Sequence, residues 1–340
     1  MKKIKKHLKN IIALIITLFF LALVIYKVDI SEMLNTFKLF NLKDLIFLTP
    51  LYIIIMMLRA KRWAILLPEN KCYFYNLYEI YMLSNLLNIF LPARAGDIFR
   101  GYYFGQKYNL SKMNTIGTVA AERILDGLTV IFILFLGIIL YNKSEMAIHL
   151  AIISGIIFIF SFMLMFWIYK YDKIDQLCDY IKKKTSFLPE KYRKSLYFFI
   201  DKTSPYIKSF IKGFESFANP NKLFQAILYS IYSWAGDCIF IYLLIIAFGI
   251  KVNFIASFFV ISFIALSTIL PSTSIYIGLY QYAFILALGL FGIDKSPALS
   301  ISIMQQGLLL IIYLIISIIF VFRNHISIKE IKEDTCIEIK

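Results

Sequence analysis

Arg94, Asp97 and Arg100 recur at every third residue, and Glu122, Arg123 and Asp126 form a second charged group downstream, both inside apolar sequence. Charge in such surroundings is costly and is generally kept where it faces a cavity or a partner. On a helix, Asp97 is within reach of both Arg94 and Arg100; Glu122 and Asp126 share a face, and Arg123 reaches Asp126. Arginine offers a planar fork that matches phosphate oxygens. One reading is therefore a phosphate clamp for a lipid headgroup, with the N–H groups of a helix over Ile98–Tyr108 aimed at the same place. The other is a salt-bridged helix start at the membrane interface, with arginines snorkelling to water. For Glu122, Arg123 and Asp126 the preferred role is to hold Arg94 or Arg100 in place. The alternatives are a satisfied interfacial charge and, less favoured because no histidine lies nearby, a proton relay.

A second polar stretch runs from Leu270-Pro271-Ser272-Thr273-Ser274 to Gln281. Tyr276, Gly278, Tyr280 and Gln281, with Tyr282, can give neutral polar and aromatic contacts to an amphipathic substrate. Interhelical bonding is the alternative use of Gln and Tyr in membrane bundles. Asp237 sits within an apolar span and is expected to meet Arg123 or another cation. Trp63 and Tyr73 read as interface belts. Cys72, Cys178, Cys238 and Cys336 are scattered, as are His7, His149 and His325, so neither a disulfide framework nor a metal site is expected. There is no GxxxxGK[ST] loop and no nucleophile–base pair, so no catalytic residue and no cofactor is assigned.

The elements that must position these groups are membrane helices. The chain is 60% hydrophobic and 17% aromatic over 340 residues, with mean hydropathy +0.74. A soluble domain of that composition would lack the polar surface to cover its core. The net charge is +15. Its cations stand at the ends of apolar runs, which points to anionic lipid and to topology rather than to nucleic acid. Six spans are expected, at Ile11–Tyr26, Leu45–Leu58, Gly127–Tyr141, Ala147–Tyr169, Leu223–Ile250 and Ala298–Phe322, with Val119–Leu125 able to extend the third. The first has a basic flank but no small-residue cleavage site, so it reads as an uncleaved span. The basic segments, namely the N-terminus, Arg59-Ala60-Lys61-Arg62, Lys170–Lys222 and the tail from Arg323, place both termini in the cytoplasm of a plasma-membrane protein.

Two apolar stretches, Tyr78–Leu91 and Phe254–Leu270, each stop at a Leu-Pro. Broken segments at matching places in two halves predict re-entrant hairpins entering from opposite faces in a pseudo-inverted repeat. The alternatives are complete extra spans or simple kinks. The expected architecture is thus an all-α polytopic membrane protein with about six to eight transmembrane helices, forming one domain over 1–322. Its halves, 11–169 and 223–322, are joined by a basic amphipathic linker over 170–222, and a tail follows at 323–340. In the linker, Ile174, Leu177 and Ile181 share one helix face, as in a helix lying on the inner leaflet.

Leu91-Pro92-Ala93-Arg94-Ala95-Gly96-Asp97-Ile98-Phe99-Arg100 resembles the LPxRxG(D/E)xxR pattern of a flippase-like family, named after the transmembrane region of lysylphosphatidylglycerol synthase. Glu122-Arg123-Ile124-Leu125-Asp126 resembles its ERxxD element. Pro271–Gln281 resembles its PxSPGYxGxYQ element, with Ser274-Ile275 where the family commonly has Pro-Gly. Gly there permits a positive φ or a close backbone approach, so the geometry of this loop is open to change. No counterpart of the synthase's soluble aminoacyl-transferase domain is recognisable. The resemblance implies translocation or binding of an anionic phosphate-bearing lipid, such as a phospholipid or a polyprenyl-phosphate-linked sugar. Its expected partners are membrane lipids and a lipid-modifying enzyme or glycosyltransferase. The competing readings are an integral membrane transferase acting on a lipid-linked substrate, and a non-transporting scaffold for a cytoplasmic enzyme.

Overall fold

A computed structural model describes residues 18–26, 28–68, 74–91, 94–141, 145–171, 174–187, 189–268 and 278–324. All regular structure among them is helical: α1 (18–25), α2 (Ile30–Leu39), α3 (Leu45–Leu66), α4 (Phe74–Phe90), α5 (Ala95–Lys107), α6 (Lys112–Leu140) and α7 (Glu145–Tyr171). After these come α8 (Ile174–Lys184), α9 (Glu190–Lys212), α10 (Pro220–Ala247), α11 (Ile255–Ser267), α12 (Leu279–Gly289) and α13 (Lys295–Asn324). Four of them, α6, α7, α10 and α13, are long and apolar enough to cross a membrane, and α2 with α3 forms a fifth candidate bent by 59°. The chain is a polytopic helical membrane protein.

Local sequence sets the helix starts. Asp29 caps α2 by accepting from the N–H groups of Ser31 and Glu32 at 2.8 and 3.0 Å. Asn219 caps α10, where Pro220 occupies the first turn and has no N–H to leave unpaired. Small residues let two helix backbones approach closely. Gly117 of α6 and Gly213 at the end of α9 show this. A Cβ on Gly117 would lie 2.0 Å from the Phe210 carbonyl oxygen, and one on Gly213 would lie 2.5 Å from the Gly117 carbonyl carbon. The α9 backbone therefore rests directly on α6.

Two short helix pairs interrupt the bundle. α4 packs on α5, and α11 packs on α12. Their lengths are 17, 13, 13 and 11 residues. At 1.5 Å per residue the longest reaches about 25 Å, short of the roughly 30 Å hydrocarbon core. The turns expected to carry Pro92 and Pro271, together with Ser272–Ile277 and Tyr276 within it, lie outside the described residues. So do residues 11–17 of the expected first span and Tyr73.

Three expectations change. The second span does not end at Leu58 but continues as helix to Leu66, so Arg59 and Arg62 are intrahelical rather than loop residues. The helix after Pro92 begins at Ala95, three residues before the expected Ile98. The linker folds as two helices, α8 and α9, rather than one. The turn between them is tied by Tyr197 Oη donating to the Lys182 carbonyl at 2.6 Å. Within the face expected to be apolar, Ile174 is buried while Leu177 and Ile181 are exposed.

Candidate functional site

The charged residues of α3, α5, α6 and α10 converge in one layer. Glu122 is its centre. It accepts from Arg62 Nη2 at 2.7 Å, from Arg100 Nη2 at 2.6 Å and from Tyr81 Oη at 3.1 Å. Arg62, Arg100 and Glu122 have side-chain exposures of 0%. One helical turn on, Asp126 accepts from Arg62 Nη1 at 2.7 Å, Arg123 Nη1 at 3.1 Å and Trp234 Nε1 at 2.9 Å. Arg62 Nη1 also donates to Ser230 Oγ at 2.8 Å. Isolated charges so deep would be prohibitive; here Glu122 and Asp126 each accept several bonds, and Arg62 divides its two Nη atoms between them.

Arg100 is held on its faces as well as at its edge. Its guanidinium carbon lies 4.5 Å from the Trp63 ring centroid and 4.4 Å from that of Tyr81. Ring faces attract a desolvated cation. Trp63 in turn donates to Thr118 Oγ1 at 3.1 Å and is 0% exposed. It is a wall of the layer, not the interface-belt residue expected from its type. Asp237 pairs with Arg59, whose guanidinium lies 4.8 Å from the Trp234 ring centroid.

The α4–α5 pair presents the other edge. Near its tip Asn88 and Asp97 bond reciprocally: Asn88 Nδ2 donates to Asp97 Oδ1 at 3.0 Å, and the Asp97 N–H donates to Asn88 Oδ1 at 3.2 Å. Arg123 Nε reaches Asp97 Oδ2 at 3.1 Å, while Arg100 stands 3.9 Å from this carboxylate. Arg94 precedes α5 in the left-handed region, at φ +53. It is half-buried, and its Nη2 donates to Thr268 Oγ1 at the end of α11. The tips of the two short pairs, far apart in sequence, therefore touch.

The structure thus brings Arg94, Asp97, Arg100, Glu122, Arg123 and Asp126 together but separates their surroundings. Arg100 is sealed against Glu122 and two rings, whereas Arg123 keeps 30% of its side chain exposed. In the second half, Gln281 is bound within the protein. Its Oε1 accepts from the Gly278 N–H at 2.8 Å and its Nε2 donates to Gln306 Oε1 at 2.7 Å. Gly278 has φ +83, and a Cβ there would lie 2.7 Å from the Leu21 nitrogen. Both facts call for glycine at this crossing with α1. Tyr280 is half-buried beside Phe284.

Sequence reasoning missed Arg59, Arg62, Tyr81, Asn88, Ser230 and the roles of Trp63 and Trp234. A usable signal existed for two of them: Arg59 and Arg62 are i, i+3, and the apolar sequence resumes after them with Trp63-Ala64-Ile65-Leu66.

Residues 10–317 match the family described as the lysylphosphatidylglycerol synthase TM region. The chain belongs to this family. Two relatives from Methanocaldococcus jannaschii share its sequence at lower identity. UPF0104 membrane protein MJ1078 is 27% identical over 222 residues, covering 65% of this chain and 86% of that one. UPF0104 membrane protein MJ1595 is 23% identical over 322 residues, covering 90% and 92%. No solved structure matches the chain. Membership extends over both short helix pairs and the charged layer, which all fall within the matched residues.

Proposed function

We propose that the chain binds an anionic, phosphate-bearing lipid and carries its headgroup across the membrane along the arginine–carboxylate layer, its tail remaining in the bilayer. The observation that carries this reading is the contact of Arg94 with Thr268. A cation at the tip of one short helix pair is held there by an uncharged hydroxyl from the other. Among the described residues of the layer, Arg59, Arg62, Arg94, Arg100 and Arg123 face Asp97, Glu122, Asp126 and Asp237, five cations against four carboxylates. A phosphate monoanion at Arg94 would balance the layer without displacing a carboxylate. The sealed Arg62 and Arg100 are scaffold in this scheme, and Arg94 with Arg123 meets the headgroup.

In this reading α4–α5 and α11–α12 are re-entrant hairpins from opposite faces, related as the two halves of an inverted repeat. Their lengths and the meeting of their tips support it. The basic segments put both termini on the cytoplasmic side of the plasma membrane. The family's name connects it with a lysylphosphatidylglycerol synthase, which fits a phospholipid cargo. A polyprenyl-phosphate-linked sugar shares the chemistry recognised here, and a lipid-modifying enzyme or glycosyltransferase would be the natural partner.

The test is headgroup exchange in liposomes containing labelled phosphatidylglycerol, phosphatidylcholine or a polyprenyl phosphate. Protein should accelerate exchange of a phosphate-anionic lipid over phosphatidylcholine, Arg94→Ala should abolish the gain, and Arg94→Lys should retain part of it. An Arg94→Ala variant as fast as the parent, or no acceleration of either anionic lipid, would overturn the reading.

A further inference from the structure

We infer that the groove between the end of α7 and the α8–α9 hairpin is a second lipid site, one that seats the phosphate of an anionic phospholipid of the surrounding bilayer. The groove encloses about 740 Å³. Lys170 of α7 and Lys208 and Lys212 of α9 line it above Phe166, Ile174 and Ile211. Lys208 and Lys212 are i, i+4 and share a face. Lys208 is bonded to Asp175 at 2.5 Å, and both Lys170 and Lys212 reach the protein surface.

The polar rim opens onto an apolar flank. α7 is the most exposed of the long apolar helices, and Ile153, Ile156, Phe160 and Met163 lie on its surface leading away from the groove. Bilayer lipid covers that flank where α7 crosses, so the headgroup of such a lipid reaches the lysines from within the membrane, whereas a soluble phosphate or an acidic peptide has only the lysines to hold it. A phospholipid uses both, its phosphate on the lysines and its acyl chain along α7. The position is separate from the charged layer but mechanically joined to it. Gly213, next to Lys212, rests on Gly117 of α6, the helix that carries Glu122 and Asp126.

Two lysines near a lipid phosphate correspond to about a thirtyfold preference for an anionic over a zwitterionic headgroup. The experiment is native mass spectrometry of the detergent-solubilised full chain, titrated with phosphatidylglycerol or phosphatidylcholine of equal chain length. It is run in an Arg94→Ala background to weaken the contribution of the central layer. Phosphatidylglycerol should bind preferentially, Lys170→Ala/Lys212→Ala should remove the preference, and Lys170→Arg/Lys212→Arg should keep it. The inference is overturned if the alanine pair binds phosphatidylglycerol as before. It is equally overturned if sn-glycerol 3-phosphate competes as well as the intact lipid, since the ligand would then be a soluble anion. The melting temperatures of both paired variants are compared with that of the background, so that a lost preference is read from folded protein. Failure of this titration leaves the exchange assay on Arg94 untouched, and the reverse also holds.

Discussion

Replacing Glu122 by Gln removes one negative charge from a place with no access to water. Its two carboxylate oxygens serve Arg62 at 2.7 Å, Arg100 at 2.6 Å and Tyr81 at 3.1 Å. Arg62 keeps Asp126, but Arg100 keeps only the 3.9 Å approach to Asp97 and its two ring faces. Breaking one side of a buried pair costs about 3–5 kcal/mol, because an uncompensated charge remains inside. For a chain of this size each kcal/mol moves the midpoint by about 2 °C, so Glu122→Gln should lower Tm by roughly 6–10 °C. The assay is a thermal scan of purified protein in one detergent, run beside Arg100→Met and the Glu122→Gln/Arg100→Met double variant. Taking away both charges removes the orphan, so the double variant should be more stable than the sum of the singles by about 2–3 kcal/mol. Strict additivity, or a Glu122→Gln scan superimposed on the parent, would show that the layer does not hold together through this carboxylate.

Other perturbations separate structure from transport. Arg94→Ala should leave Tm nearly unchanged, since it gives up one bond to a neutral hydroxyl, while abolishing anionic-lipid exchange. Gly117→Ala should loosen α9 from α6, read as faster proteolysis within 190–212. Gly278→Ala should cost about 1–3 kcal/mol from its positive φ alone, before the crowding against α1 is counted; a thermal scan checks it. Raising NaCl from about 0.1 to 1 M shortens the Debye length from about 10 to 3 Å, yet the melting temperature should hold because Arg62, Arg100 and Glu122, at the centre of the layer, are sealed from solvent; the phosphatidylglycerol preference of the α7–α9 groove should fall.

The charged group at 94–126 was legible in the sequence because Arg, Asp and Glu inside apolar runs need a reason to be there. Asp237 was legible on the same ground, and its cation is Arg59. The α3 half of the layer was not, because Arg59-Ala60-Lys61-Arg62 has the composition of a topology-setting loop, and composition does not say whether a helix continues through it. Only the face matters: Arg59 and Arg62 turn inward, while Lys61 is exposed. Trp63 was misplaced for a related reason, since an indole suits either an interface or a buried cation, and Arg100 is too far away in sequence to decide between them. The linker divided into two helices because Pro189, at the N-cap of α9, interrupts the run, a break that the i, i+3, i+7 pattern within Ile174–Ile181 could not register.

The chain has three tryptophans, and their positions make it its own optical probe. Trp63 and Trp234 line the charged layer at 0% and 8% exposure, one beneath Arg100 and the other bonded to Asp126, whereas Trp167 stands on the exposed flank of α7 at 49%. Brominated acyl chains should dim chiefly Trp167, and the emission that survives should report the electric field around the arginines. Intrinsic fluorescence can therefore follow lipid at the periphery and rearrangement at the centre in one sample, with no label attached.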